Sequence, residues 1–214
     1  MNISVIDNPY ARILITDVRD NEAAKELLRQ RLYELGRITS ETIVGEGLMS
    51  PKEVITPMGQ TYLGYSLPRT TTVIISTRDD YEFFAEGIRC VLPSSYKGYM
   101  DFSGDRGPEA LRSKRRAIEF PIIKAGERVD TLIIAKSVLA TGCTAISLTQ
   151  SAIAKYHPRN IIVASVFYTQ QGIDELLFDI PNIDHIYVHG KPDVLNDDGM
   201  LLPGLGNLDA RMAE

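Results

Sequence analysis

Residues 131–148, TLIIAKSVLATGCTAISL, place an apolar run, a loop of small residues and an amphipathic segment in direct succession. The opening run TLIIA is typical of a strand that is buried on both faces of a parallel sheet. The loop at 140–144 contains one glycine and two threonines, and a helix is predicted to follow it at 144–156. Strand, loop and helix in this order indicate a βαβ unit.

The same alternation continues on both sides of this segment. Strands are predicted at 72–76, 129–135, 160–167 and 185–189, and helices at 22–43, with Gly36 as an interruption, 81–92 and 171–177. This order predicts an α/β fold whose open, mainly parallel sheet is flanked by helices. We expect one domain, 1–214, in which 1–70 form a small N-terminal helix and β-hairpin addition, 71–198 the core sheet and 199–214 a tail without helical periodicity.

Composition excludes several classes of protein. The 214 residues are 44% hydrophobic and 24% charged, which is a globular balance rather than that of a disordered chain. With 23 basic and 28 acidic residues, the net charge of −5 provides no basic field, so we expect no nucleic-acid partner. No apolar run reaches membrane-spanning length and no secretory leader is visible, so we expect a cytoplasmic protein without membrane contact.

The loop after the strand at 131–135 has the properties of a phosphate site. Ligands of open parallel sheets bind beyond the carboxyl ends of the strands. Small residues let backbone N–H groups converge there, and the N-terminus of the following helix adds partial positive charge. The residues concerned are Ala140, Thr141, Gly142, Cys143 and Thr144. The local sequence is equally compatible with a tight strand–helix turn that Thr144 caps.

Two glycine segments resemble one known family. Leu139-Ala-Thr-Gly142 is similar to the phosphoribosyl-pyrophosphate loop of uracil phosphoribosyltransferases, and Leu202-Pro-Gly-Leu-Gly206 to their uracil-binding segment. Val54-Ile-Thr-Pro-Met-Gly59 resembles the hairpin of the same family. Since these segments extend over most of the chain, it resembles a divergent member of that family.

The resemblance implies a type I phosphoribosyltransferase fold, a homodimer and a reaction. Ribose 5-phosphate would pass from phosphoribosyl pyrophosphate, with Mg²⁺, to N1 of uracil, giving UMP and diphosphate in pyrimidine salvage. The loop 140–144 would hold the 5-phosphate. The pyrimidine base would contact Met200, Leu202, Gly204 and Gly206. No metal site made of protein ligands alone is predicted.

The sequence departs from the family where charge matters. Lys136 replaces the acidic residue that begins the family's phosphate loop, and Asn207 replaces an acidic residue of its tail, for which Asp209 could compensate. Arg78 is kept, but an expected arginine is missing, and Arg106 could substitute for it. We therefore assign Arg78 and Asp209 to catalysis and Lys136, Arg106 and Asn207 to the ribose and pyrophosphate side. The alternative is a catalytically impaired paralogue that binds a nucleotide or phosphate in a regulatory or structural role.

Other reactive side chains receive simpler interpretations. Asp79 and Asp80 could hold a metal, but an N-cap of the helix at 81–92 requires fewer assumptions. Cys90 is expected in the core, and His189 is expected to be a hydrogen-bonded surface histidine rather than a ligand group. The stretch 103–116, rich in basic side chains, is predicted as an exposed loop or hairpin.

Overall fold

A seven-stranded sheet forms the centre of the described part of the protein, in the order β1-β11-β9-β7-β4-β5-β6. The structure is a computed structural model that describes residues 2–67, 70–102, 117–124 and 127–213. Every neighbouring pair is parallel except β5–β6. The strands are β1 (Asn2–Ile6), β4 (Thr72–Thr77), β5 (Tyr96–Asp101), β6 (Ala117–Glu119), β7 (Thr131–Ala135), β9 (Asn160–Ala164) and β11 (His185–His189).

Three pairs of short strands lie outside this sheet. Two are antiparallel and one is parallel. They comprise the hairpin of β2 (Ser50–Ile55) and β3 (Thr61–Ser66), the parallel pair of β8 (Val138–Leu139) and β10 (Phe167–Tyr168), and the pair of β12 (Val194–Leu195) and β13 (Leu201–Leu202).

Helices cover the faces of the central sheet, and two hydrophobic clusters fill the space between. The expectation of an open, mainly parallel α/β sheet flanked by helices is thereby confirmed. The helices are α1 (Pro9–Arg19), α2 (Lys25–Ile43), which continues as a π-helical turn at Val44–Leu48, α3 (Arg78–Tyr81), α4 (Phe84–Val91), α5 (Cys143–Tyr156), α6 (Gln170–Asp179) and α7 (Leu208–Met212).

The pairing of α2 with α4 explains why Gly36 interrupts the apolar pattern of the predicted helix. A Cβ on Gly36 would lie 2.2 Å from the Phe84 carbonyl oxygen, and a Cβ on Gly87 would lie 2.0 Å from that of Tyr33. Both glycines therefore allow two helix backbones to touch. Gly36 is a packing residue inside a continuous helix.

The N-terminal region contributes more than a helix and a hairpin. Strand β1 pairs with β11 and becomes an edge of the central sheet. Helix α1 begins with Pro9 at its first position, and the side chain of Asn8 accepts from two backbone N–H groups as its N-cap. The Asn8-Pro9 pair is a recognisable helix start that the periodicity alone did not reveal.

Several predicted boundaries are wrong for identifiable reasons. The strand expected at 160–167 ends at Ala164, and Phe167 and Tyr168 pair with β8 instead. The helix expected at 81–92 is divided into α3 and α4, and the tail contains the five-residue helix α7. The basic stretch 103–116, including Arg106, lies outside the described residues. In the described ranges, no helix is both long and apolar enough to cross a membrane.

Candidate phosphoribosyl site

A cavity of about 460 Å³ lies at the carboxyl ends of β4 and β7. Its volume falls within the range of about 300–1,000 Å³ that is usual for small-molecule sites. Three segments of the chain surround it: the loop that leads into α5, the turn and tail after β12, and the polar ends of the two strands. The lining includes Thr77, Asp79, Phe102, residues 136–145, residues 197–201, Leu205, Gly206, Leu208 and Asp209.

The loop 139–144, hereafter the phosphate cradle, presents backbone N–H groups to this cavity. Gly142 is the N-cap of α5 and adopts φ 78° and ψ −22°. Among the described residues, no acceptor is bonded to the backbone N–H of Thr141, Gly142, Cys143 or Thr144. A helix N-terminus with unpaired amides is suited to a phosphate dianion.

Helix α6 fixes the outer side of the cradle. The Thr169 hydroxyl donates to the Ala140 carbonyl oxygen at 2.6 Å and accepts from the Gly172 N–H at 2.8 Å. A Cβ on Gly142 would lie 2.8 Å from the Gly172 carbonyl oxygen, and a Cβ on Gly172 would lie 2.4 Å from that of Ala140. The two glycines are therefore required by direct contact between backbones.

Opposite the cradle, residues 197–206, hereafter the tail loop, form the second wall. The Asn196 side chain accepts from the N–H groups of Asp198 and Met200, which holds the turn at Asp197 and Asp198. Both aspartates line the cavity in addition to forming the expected turn. Met200 and Gly206 also line it, whereas Leu202 and Gly204 do not.

The remaining tail residues have distinct surroundings. Leu202, in β13, pairs with Val194 of β12. The Gly204 carbonyl oxygen accepts a hydrogen bond from Arg19 at 2.7 Å. Asn207 caps α7 through a bond from the Ala210 N–H and does not line the cavity, whereas Asp209 does. The assignment of Leu202, Gly204 and Asn207 to ligand contacts stays a prediction.

Lys136 belongs to a buried ion pair at the floor of the cavity. Its ammonium donates to Asp80 Oδ2 at 2.6 Å, and that oxygen also accepts from the Ser137 N–H and the Thr77 hydroxyl. Asp80 is only 2% exposed. Burial opposes the charged form of Lys136, but the charge and hydrogen bond of Asp80, together with the charges of Asp209 and Asp79, outweigh burial and raise the lysine pKa above its ordinary value. The interpretation of Asp80 as a simple helix cap is therefore wrong.

Asp79 and Asp209 bring two further carboxyl groups to the same cavity. Burial in the cleft raises the pKa of Asp79, and the negative charge of Asp209 raises it further. Lys136 opposes this shift in the Asp79 pKa. The polar end of the cleft thus combines one ammonium group with several carboxylates.

Three predicted residues lie away from this cluster or acquire another role. Arg78 does not line the cavity: its guanidinium lies 4.9 Å from the centre of the Tyr99 ring and 3.6 Å from Glu82. Cys90 is exposed rather than in the core, because it follows the buried Ile88 by two residues, about 200° around the helix. His189 is buried against Thr39 rather than on the surface.

The parallel sheet, its flanking helices and the cleft beyond its strand ends define a type I phosphoribosyltransferase-like α/β protein. A solved structure of an Aquifex aeolicus protein shares this fold, with a TM-score of 0.79, 24% identity and coverage of 98% of this chain and 97% of that one. A Thermus thermophilus structure aligns with a TM-score of 0.50 and 13% identity, covering 86% of this chain and 96% of that chain.

The chain belongs to the uracil phosphoribosyltransferase family, whose model matches residues 5–212. A Pyrobaculum islandicum protein named uracil phosphoribosyltransferase is 28% identical, and the alignment covers 99% of this chain and 98% of that protein. A Sulfolobus acidocaldarius protein of the same name is also 28% identical, with 99% of each chain covered. The family expected from the two glycine segments is confirmed.

Proposed function

We propose that this protein transfers ribose 5-phosphate from phosphoribosyl pyrophosphate to N1 of uracil, forming UMP and diphosphate. One observation carries the proposal: the phosphate cradle and the tail loop face each other across a single cavity. A ligand with a phosphate at one end and a planar base at the other would contact both walls. The relatives named uracil phosphoribosyltransferase support the choice of base.

In the proposed reaction, the bond between ribose C1′ and the diphosphate oxygen breaks and the bond between C1′ and uracil N1 forms. The N1 proton is released, and diphosphate leaves. The cradle amides would hold the 5-phosphate, while the tail loop would keep N1 beside C1′. Such catalysis consists mainly of positioning and of stabilising charge at a cation-like C1′.

The donor set suits a magnesium ion that arrives with the substrate. Mg²⁺ prefers oxygen ligands and is usually bound by one or two carboxylates together with substrate phosphates. Asp79 and Asp209 line the cavity. Together with the substrate phosphates, these two carboxylates would be enough to hold the ion. When bound there, the ion would neutralise the charge of the leaving diphosphate.

Diphosphate release tests this proposal directly. The full chain, incubated with phosphoribosyl pyrophosphate, Mg²⁺ and uracil, should release diphosphate and form UMP in equal amounts. Cytosine and hypoxanthine serve as control bases. Absence of turnover with uracil, in a protein whose melting temperature shows it to be folded, would contradict the transferase proposal.

A second candidate function is nucleotide binding without turnover, and the Lys136–Asp80 pair favours it. In the family, an acidic side chain at position 136 is expected to accept bonds from ribose hydroxyls. Lysine carries donors only, and here its ammonium is already bonded to Asp80. This candidate predicts that UMP raises the melting temperature although no diphosphate forms.

Replacing the pair distinguishes the two candidates. Lys136→Asp alone would place a carboxylate against Asp80, so the informative variant is the double substitution Lys136→Asp with Asp80→Gly. If the pair prevents turnover, the double variant should form UMP faster than the wild type. The matched control removes the Lys97–Glu86 ion pair, whose residues do not line the cavity. An unchanged rate in the double variant contradicts a blocking role for the pair.

The protein is further proposed to form a homodimer through the hairpin of β2 and β3. This hairpin exposes several large apolar side chains, and an exposed apolar patch of this kind is typical of a protein–protein interface. They include Ile55, Met58, Tyr62, Leu63 and Tyr65. Leu63→Asp should halve the mass measured by light scattering, whereas Phe178→Asp, an equally exposed apolar position on α6, should leave it unchanged. A monomeric wild type contradicts the dimer.

A further inference from the structure

Arg19, at the end of α1, contacts the tail loop from outside the cavity. Its Nη1 atom donates to the Gly204 carbonyl oxygen at 2.7 Å. The same guanidinium binds both oxygens of Asp193, each at 2.9 Å. Because the pair with Asp193 is planar and bidentate, it fixes the orientation of the guanidinium. It thereby also fixes the direction in which Arg19 donates to the Gly204 carbonyl oxygen.

Asp193 continues this connection toward the phosphate cradle. Its N–H donates to the Tyr168 carbonyl oxygen at 2.7 Å, and it forms a β-bridge with Thr169. The Asp193 side chain is 5% exposed, so its carboxylate depends on Arg19 for compensation. Since the Thr169 side chain in turn donates to Ala140, the two walls are joined by the side chains of Arg19, Asp193 and Thr169 together with the backbone bridge between Asp193 and Thr169.

The position of Arg19 is restricted on a third side. Its guanidinium carbon lies 4.9 Å from the centre of the Phe167 ring, a distance that allows a cation–π contact. Phe167 belongs to β10, whose partner β8 leads into the cradle. Arg19 is thus held by the elements that carry the cradle while it binds the backbone of the tail loop.

We infer that Arg19 is a positioning residue: by anchoring Gly204 to the framework of the cradle, it sets the distance between the phosphate and base subsites. The inference rests on the proposed function, in which the cradle takes the 5-phosphate and the tail loop takes the base. Arg19 would touch no ligand, since it does not line the cavity. Its substitution should affect the base subsite while sparing the phosphate subsite.

Two ligands of different length test this inference on the full chain. Ribose 5-phosphate needs only the cradle, whereas UMP needs both walls. Arg19→Lys keeps the positive charge beside Asp193 but loses the fork that reaches Gly204. We expect about tenfold weaker UMP binding by calorimetry, because small displacements of a positioning group cost affinity steeply. Ribose 5-phosphate should bind within about twofold of the wild type, because the cradle amides are unchanged.

The control is Arg31→Lys, which alters another half-buried arginine–aspartate pair, between α1 and α2. It should bind both ligands like the wild type. Asp193→Asn should weaken UMP binding less than Arg19→Lys, because Arg19 can still reach Gly204. If Arg19→Lys weakens both ligands equally, or neither, the positioning role is wrong. If the wild type binds ribose 5-phosphate but not UMP, the proposed function fails.

Amide hydrogen exchange tests the positioning role of Arg19 without a ligand, and therefore independently of the proposed function. In Arg19→Lys, the amides of residues 199–206 should exchange faster than in the wild type, while those of the cradle and of α5 should not change. Such a result supports the anchor even if UMP does not bind. Unchanged exchange in the tail loop overturns the anchor whatever the affinities are.

Discussion

The phosphate cradle and the tail loop face each other across one cavity, but different kinds of contact hold them. Backbone contacts, small residues and the Thr169 hydroxyl, all from 137–172, shape the cradle. The tail loop depends on longer polar side chains, those of Asn196 and of two arginines. Arg19 binds Gly204, and Arg211 donates to the carbonyl oxygens of Leu205 and Val18, each at 2.7 Å. The cradle is therefore held by residues that are close to it in sequence, whereas the tail loop also depends on Arg19, which is 185 positions from Gly204.

This difference has a physical consequence for substitutions. A cradle made of backbone should tolerate changes of side chain but not the addition of a Cβ where two backbones touch. A loop held by arginines that do not line the cavity should respond to substitutions of residues that do not touch the ligand. The predictions below test these two sensitivities, from the largest expected effect to the smallest.

Gly142→Ala should have the largest effect. The new Cβ would lie 2.8 Å from the Gly172 carbonyl oxygen, and the backbone at φ +78° is unfavourable for alanine. Because α5 or α6 must then move, ribose 5-phosphate affinity should fall at least about 100-fold, as measured by calorimetry. Gly59→Ala is the control, since Gly59 has φ +75° but nothing within 4 Å of an added Cβ. Normal binding by Gly142→Ala would contradict the backbone contact.

A second prediction concerns a contact outside both walls, between His189 and Thr39, which are 150 positions apart. The Thr39 hydroxyl donates to the Leu35 carbonyl oxygen, so His189 donates from Nε2 to Thr39 at 2.8 Å. This leaves Nδ1 buried and without a partner in the described part of the chain. Burial lowers the pKa of His189 to about 4, because the charged imidazolium is disfavoured away from water.

The sign of the resulting pH dependence follows from this pKa. Between about pH 6.5 and pH 4, the unfolded chain binds the proton and the folded chain does not, so stability decreases as the pH falls. Urea unfolding should show a loss of about 2 kcal/mol from this group between pH 7.5 and pH 5. His189→Gln should flatten the profile in this range, whereas His185→Gln, at a half-exposed histidine of the same strand, should flatten it less. Parallel profiles for wild type and His189→Gln would contradict the assignment.

The arrangement of strands was predictable, and the side-chain pairs were not. The runs at 72–76 and 131–135 are continuous and apolar because both faces of β4 and β7 are buried. Periodicity does not predict strand β5, because Gly98 interrupts its pattern. A Cβ at Gly98 would lie 2.5 Å from the Glu119 carbonyl oxygen. Close approach of two backbones selects glycine at that position, but periodicity does not record it.

The candidate site shows the same division. The cradle was predicted as a unit because its properties come from adjacent small residues and from a helix N-terminus. The Lys136–Asp80 pair joins residues 56 positions apart, so Asp80 looked like a local cap in the sequence. Arg19 and Asp193 are 174 positions apart, and no motif connects them. Contacts between distant side chains require the fold to be known.

Arg211→Lys should have a moderate effect on the tail loop. Arginine distributes its donors among three backbone carbonyl groups, those of Val18, Leu205 and Asp20. A single ammonium cannot reach all of them, so UMP affinity should fall about fivefold while ribose 5-phosphate affinity stays unchanged. Arg29→Lys is the control, because Arg29 binds Met212, beyond the residues that line the cavity. Equal losses in both variants would mean that the tail is only loosened as a whole.

Cys143→Ala should have the smallest effect, and it tests the other half of the comparison. Cys143 is the first residue of α5 and lines the cavity, and within the described ranges its Sγ bonds only to the Thr141 carbonyl oxygen, at 3.9 Å. The substitution keeps the N–H that would face the phosphate, so ribose 5-phosphate affinity should change less than about twofold. A tenfold loss would mean that the thiol itself binds the ligand. The cradle would then bind its ligand with a side chain as well as with backbone amides, and the contrast between the two walls would be weakened.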